Sequence, residues 1–186
     1  MRSISIIIAT SGRPTLRRAV ESILPQLQIG DEILCIGDNF CPDEPGCVNL
    51  ADVSTLPSQF GNRQRNTGMA LAAGNVLCFL DDDDWHLPGS LDTIRTTDTV
   101  PRMFRAILPH GKTVWKDKAV RHANVGTCTI ALPNRPELIP PWPVTPYDNG
   151  DCPRGTDFLF IRECCRRFNG VEWDPTVVYH CEPRPK

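Results

Sequence analysis

Apolar residues fall into short runs of two kinds along the chain. Ser3–Ala9 (with Ile4, Ile6, Ile7 and Ile8), Ile33-Leu34-Cys35-Ile36 and Val76–Leu80 are nearly continuous, as in strands covered on both faces of a parallel sheet. Between the first two, Leu16, Ala19, Val20, Ile23, Leu24 and Leu27 recur at helical spacing, with Thr10 or Ser11 as cap, Pro14 in the first turn and Pro25 ending or bending the helix. This is a βαβ unit, and its crossover is expected to be right-handed. Asn39–Ser58 reads as an irregular surface loop with a short strand at Val48–Val53. Gly61–Ala73 is a helix stopped by Gly74, and Pro88–Arg95 a second one with Leu91 and Ile94 inward.

Beyond residue 96 the pattern thins. Short strands are predicted at Ala106–Leu108, Thr113–Trp115 and Cys128–Leu132, and the proline-rich stretch Pro133–Pro153 reads as a loop or lid. A helix opens at Thr156-Asp157 with Phe158, Ile161, Cys165 and Phe168 on one face, and Thr176–Cys181 forms a last strand carrying His180. The expectation is an α/β fold: one Rossmann-like domain over residues 1–186, with a mostly parallel central sheet flanked by helices.

Composition adds limits. A chain of 186 residues buries enough surface to fold without staples, and no window approaches the roughly 20 apolar residues that span a bilayer. Nine cysteines, at 35, 41, 47, 78, 128, 152, 164, 165 and 181, include no C-x-x-C pair, so reduced thiols in a cytoplasmic protein are expected. The net charge of −2 is uneven: residues 95–122 carry seven Lys or Arg against Asp98 and Asp117. That segment is either a solvated face or a surface that steers a polyanion.

The chemistry gathers where strands end. Asp81-Asp82-Asp83-Asp84 follows the strand Val76–Leu80, and four adjacent like charges either stay in water or take a cation. Asp38 ends the second strand, where it serves as a ligand or as a turn former with Asn39. Arg63 and Arg65 sit in the first turn of a helix, against its dipole, and so call for an anionic partner.

With these residues in place, the chain resembles the inverting family-2 glycosyltransferases of the GT-A fold. The matching pieces are Ser5–Thr10 with Arg13-Pro14, then Asp38, then Arg65–Ala70, then Phe79–Asp84 with Pro88 and Leu91, in order over roughly residues 3–92. The resemblance implies a nucleotide-sugar donor, a UDP-sugar, across the strand ends, with residues 1–96 as the donor half and 97–186 as the acceptor half. It places Thr10, Arg13 and Asp38 at the base, Arg65 near the nucleotide, Asp81 or Asp82 at the ribose and Asp83 on a metal. Mg²⁺ or Mn²⁺ suits oxygen ligands, and His180, if it reaches the site, tilts the choice toward Mn²⁺.

Inversion needs a base for the acceptor hydroxyl. Family members usually carry an acidic pair at the start of a late helix, and this chain has Arg154 and Gly155 there, with Asp157 and Asp151 nearest. Asp157 is read as the base or as a helix cap. Two alternatives stand beside transfer. A nucleotidyltransferase would want a richer glycine loop than Thr10–Pro14, and a catalytically silent donor-binding module would explain the missing pair. The basic segment suggests a phosphate-bearing acceptor such as modified nucleic acid.

Overall fold

A computed structural model describes residues 2–55, 60–144 and 155–182. Strand β1 (Ile4–Thr10) leads into helix α1 (Leu16–Ile23), which tightens into a 3₁₀ turn at Leu24–Gln26 around Pro25, and then into β2 (Glu32–Asp38) and β3 (Val48–Asp52). Helix α2 (Asn62–Leu71) precedes β4 (Val76–Asp81), the two-residue β5 (Trp85–His86) and α3 (Ser90–Ile94). The second half supplies β6 (Arg102–Ile107), β7 (Thr113–Val114), β8 (Ile130–Pro133), α4 (Thr156–Arg167) and β9 (Glu172–His180).

One sheet runs through both halves in the order β3-β2-β1-β4-β8-β6-β9-β5, with β7 on β6. The four strands β3, β2, β1 and β4 are parallel, whereas β8 pairs antiparallel with both β4 and β6, and β5 with β9. The expected mostly parallel sheet is therefore a mixed one. The reason is connectivity: a parallel return needs a crossover of a dozen or more residues, usually helical, and the chain between β6 and β8 contains no α-helix.

The continuous apolar runs have the predicted cause. Ile4, Ile6 and Ile8 point into a core shared with α1 and α3, while Ile7, Leu34, Ile36, Leu77 and Phe79 face a second core shared with α4 and Trp142. Gly68 lets α2 close onto β1, since a Cβ there would lie 2.5 Å from the Ile7 side chain. Gly74 is not the helix stop; α2 ends at Leu71, and Gly74 instead lets the chain lie close to β1, since a Cβ there would come within 2.6 Å of the Ser5 backbone nitrogen. The face of α4 also differs from expectation: Phe160, Ile161 and Cys164 are buried, and Phe158 and Cys165 only partly.

Two further local expectations change. Neither Thr10 nor Ser11 caps α1; Thr15 occupies that position with no side-chain cap, because the Thr10 hydroxyl donates to Asp82. The described part of the proline-rich stretch, up to residue 144, is not a lid. Asn62 and Asn66, one turn apart on α2, hold it through Pro143 O (2.8 Å) and both backbone groups of Trp142 (2.7 and 3.1 Å). Trp142 is then stacked on Phe160 with centroids 3.9 Å apart. Residues 145–154, including Asp151 and Arg154, lie outside the described residues.

His86 in β5 is buried, with Nδ1 3.2 Å from Val178 O and 3.2 Å from Ser90 Oγ, and Nε2 without a partner. Burial pulls its pKa from the ordinary 6.5 down to about 4. The folded value is the lower one, so the unfolded chain binds the extra proton between these pH values, and stability falls as pH drops from 6.5 to 4. The expected loss is about 3 kcal/mol in urea unfolding between those limits, with His86→Leu flattening that part of the profile.

Candidate active site at the ends of the parallel strands

The four parallel strands all terminate on a polar residue at one edge of the sheet: Thr10, Asp38, Asp52 and Asp81. Register makes this a row, with Ala9 opposite Asp81, Thr10 opposite Gly37 and Asp38 opposite Asp52. Carboxylates so close in a half-buried row need counter-charge. Helix α2 supplies it, its arginines meeting the anionic partners that their position demanded.

Arg63 donates to the Asp52 carboxylate at 2.5 and 2.9 Å and lies 3.8 Å from Asp38. Arg65, almost fully buried, donates to Asp81 at 2.6 Å and to Phe60 O at 2.8 Å, with its guanidinium 5.0 Å from the Trp142 ring. Phe60 and Gly61 both have positive φ, and a Cβ at Gly61 would come within 2.8 Å of Ala9. This backbone path lets the carbonyl of Phe60 reach the Arg65 side chain.

The four aspartates separate into different environments. Asp82 turns back to the β1–α1 loop, accepting from Thr10 Oγ1 (2.7 Å) and Ser11 N (3.1 Å) with Arg13 at 3.3 Å. Burial raises its pKa. Asp83 pairs with Arg13, and its carbonyl accepts from Arg18 at 2.8 Å. Asp84 is buried, bonded by the Tyr179 hydroxyl and by Glu182 N (2.7 Å). Burial, with Asp81 and Asp83 adding repulsion, lifts its pKa to about 7.

Beside this run lies a cavity of about 480 Å³ lined by Asp81, Asp83, Asp84, Asp157, Tyr179 and the 3₁₀ turn Thr127–Thr129. The site thus has two sides. Arg13, Asp38 and Arg65 stand on the β1–β3 side and do not line the cavity, whereas the aspartates separate it from them. Asp157, in the first turn of α4 behind Gly155, belongs to the cavity. Burial and then Asp81 push its carboxyl above the ordinary range, opposed by Arg65 and by hydrogen bonds from both the side chain and the backbone of Thr127. The N-cap position of α4 is Gly155, with Asp157 two residues on in the first turn.

His180 ends β9 opposite Trp85, their rings stacked at 4.2 Å, and the Arg18 guanidinium lies over the Trp85 ring at 4.3 Å. Its Nδ1 is buried and has no hydrogen-bond partner. Among the described residues, the side chains whose ligand atoms gather within 4.8 Å of one another are Asp81, Asp84 and Cys128; Asp83 and His180 are not in that group. Thr127, Cys128, Tyr179 and Trp142 escape sequence reasoning, because each reaches the site through long-range register and carries no local motif.

The row of polar strand ends, backed by paired arginines and opening on an acidic cavity, sits on an α/β fold that matches those of GT-A glycosyltransferases. Residues 5–95, just under half of the chain, match the family model described as Glycosyl transferase family 2. No curated protein matches the chain in sequence. Among solved structures, Staphylococcus aureus TarS residues 1–349 in complex with UDP-GlcNAc superposes with a TM-score of 0.71 at 15% identity, over 100% of this chain and 60% of that one. A longer TarS structure gives 0.70 at 12% identity, over 100% of this chain and 37% of that one. Glucosyl-3-phosphoglycerate synthase from Mycobacterium tuberculosis, in complex with Mn²⁺, UDP and phosphoglyceric acid, gives 0.64 at 15%, over 99% and 72%. The chain therefore spans between 37% and 60% of the length of these TarS structures.

Proposed function

We propose that the chain transfers a sugar from a nucleoside diphosphate donor, a UDP-sugar, to an acceptor hydroxyl with inversion. The observation that carries this reading is the convergence of Asp81, Asp83, Asp84 and Asp157 on one cavity at the edge where the parallel strands end. Support for the donor comes from the family match and from the UDP and UDP-GlcNAc complexes of the similar folds. Residues 1–96 are the donor half in this reading and residues 97–186 the acceptor half.

On the nucleotide side, Arg13, Asp38 and Arg65 offer charge to base, ribose and phosphate. Thr10 and Asp82 act by holding the loop that presents Arg13, and Asp81 is oriented by Arg65. A hard divalent cation, Mn²⁺ or Mg²⁺, fits the carboxylate chemistry here, with Asp83 as its proposed ligand. His180 is the proposed nitrogen ligand, since its ring is stacked on Trp85 and its buried Nδ1 has no hydrogen-bond partner. Held there, such an ion would supply positive charge to the departing diphosphate. Asp157 is the proposed base, its proton affinity raised by burial and its orientation held by Thr127.

The test is thermal unfolding of the chain with UDP-sugars, with and without Mn²⁺. Specific binding stabilises by about 2.7 kcal/mol at a hundredfold excess over Kd, and Asp83→Asn is expected to lose the Mn²⁺-dependent part. An unchanged Mn²⁺ effect in Asp83→Asn contradicts the metal assignment. The basic residues between 95 and 122 lead us to propose a phosphate-bearing acceptor, such as modified nucleic acid; its binding should weaken steeply with salt.

A further inference from the structure

Positive charge in the second half of the chain is compensated unevenly. Arg102 pairs with Glu172 and Asp174, and Arg121 with Asp117. Among the described residues, Arg105, Lys112, Lys116 and Lys118 meet no carboxylate. The three lysines are exposed and keep their water, whereas Arg105 is half-buried, where a charge without a partner costs more.

Strand register shows what surrounds Arg105. β7 pairs antiparallel with β6, with Ile107 opposite Thr113 and Ala106 opposite Val114, so the next position along sets Arg105 opposite Trp115. The Arg105 guanidinium lies over the Trp115 ring at 4.6 Å, and Trp115 meets Trp173 edge-on at 5.0 Å. Two hydrogen-bond donors at this spot are buried without an acceptor, Arg105 Nε and Trp115 Nε1, and Trp115 is only 4% exposed. Buried N–H groups are normally paired, so what the spot lacks is an acceptor oxygen.

We propose that Arg105 and Trp115 form an oxyanion site that takes a phosphate group of a polyanionic acceptor. The inference rests on the phosphate-bearing acceptor put forward above and names the residue that anchors it. A guanidinium donates through a planar fork that matches phosphate, and the several oxygens of one phosphate can serve the guanidinium and the indole together. Lys112, Lys116 and Lys118 flank Trp115 in sequence and add a positive field that concentrates a polyanion. Ala106 and Val114 line the cavity, so Arg105 and Trp115 stand one step along each strand, on the opposite face of the pleat. An acceptor held there reaches the cavity around β7, which pairs only with β6 among the described strands.

The test uses the full chain labelled with ¹⁵N, without nucleotide or Mn²⁺, because each of the four tryptophans gives its own indole N–H signal. Inorganic phosphate and a short oligothymidylate are titrated in turn against sodium chloride at matched ionic strength, with Trp115 identified through its own backbone amide. The Trp115 signal is expected to move saturably with both probes and at lower concentration with the oligothymidylate. Arg105→Gln should weaken both responses at least tenfold, while Arg162→Gln, at another arginine without a carboxylate partner, leaves them unchanged. A Trp115 signal that moves no further with either probe than in chloride overturns the proposal whether or not the glutamine variant folds, and so does equal affinity in wild type and Arg105→Gln. A response to inorganic phosphate alone contradicts the acceptor role. UDP-sugar binding with Mn²⁺ is measured separately and should be the same in wild type and Arg105→Gln; its loss in the variant alone contradicts the proposal, whereas its absence in both counts against sugar transfer and not against the anion site.

Discussion

Replacing Asp157 by Asn is expected to lower sugar transfer by about 10²–10⁴-fold while leaving donor affinity within a few-fold of wild type. Asp157 lines the cavity and stands apart from the β1–β3 side where the nucleotide is proposed to lie. Asparagine keeps the size of the side chain and can still accept from Thr127, but it cannot take a proton at neutral pH. The measurement is kcat beside donor Kd: a fall in kcat alone fits a base, whereas a parallel loss of donor binding or of stability fits a packing role. Because Thr127 holds the carboxylate through both its hydroxyl and its backbone, Asp157→Glu should recover little, its longer arm displacing the oxygens.

Arg65→Met is expected to destabilise the fold by about 3–5 kcal/mol in denaturant unfolding. The arginine is buried, and it is the partner of Asp81 at 2.6 Å, of Phe60 O at 2.8 Å and of the Trp142 ring. Methionine fills much of the volume but leaves the Asp81 carboxylate uncompensated in a site that already holds Asp84 and Asp157. The pair is testable as a cycle: adding Asp81→Asn to Arg65→Met should recover a substantial part of the loss, because the unpaired charge is then gone. If the double variant is no more stable than Arg65→Met, the cost lies in packing against Trp142.

Local pattern made the first half of the chain legible. Ile4–Ile8, Ile33–Ile36 and Val76–Leu80 announce strands covered on both faces, and such strands bring their polar ends, Thr10, Asp38 and Asp81, to one edge. The same reasoning placed Arg63 and Arg65 next to anions, because a helix start repels them otherwise. Reading from sequence failed where partners are remote. No periodicity says that Cys128 aligns with Asp81, that Tyr179 bonds Asp84, or that Asn62 and Asn66 fasten Trp142 beneath the site. The second half of the sheet was unreadable for a related reason: β5, β7 and β8 are short, and the antiparallel pairing of β8 with β4 and β6 follows from a missing crossover rather than from any residue pattern.

The four aspartates illustrate the difference between a motif and a site. Adjacent in sequence, they diverge at the strand end: Asp81 is held by an arginine, Asp82 by a loop, Asp83 by Arg13 and Asp84 by a tyrosine. A charge change at each therefore tests a different thing. Asp82→Asn should loosen the Arg13 loop, and Asp83→Asn should bear on the cation.

The central claim is that this edge and cavity act on a nucleotide-sugar. Its most direct test is release of UDP from a UDP-sugar incubated with the chain and Mn²⁺, without acceptor, in wild type, Asp83→Asn and Asp157→Asn. The account predicts slow, Mn²⁺-dependent release by the wild type, loss of it in Asp83→Asn and a strong reduction in Asp157→Asn. No release by a wild type that binds the donor, or release equal in all three proteins, would contradict it.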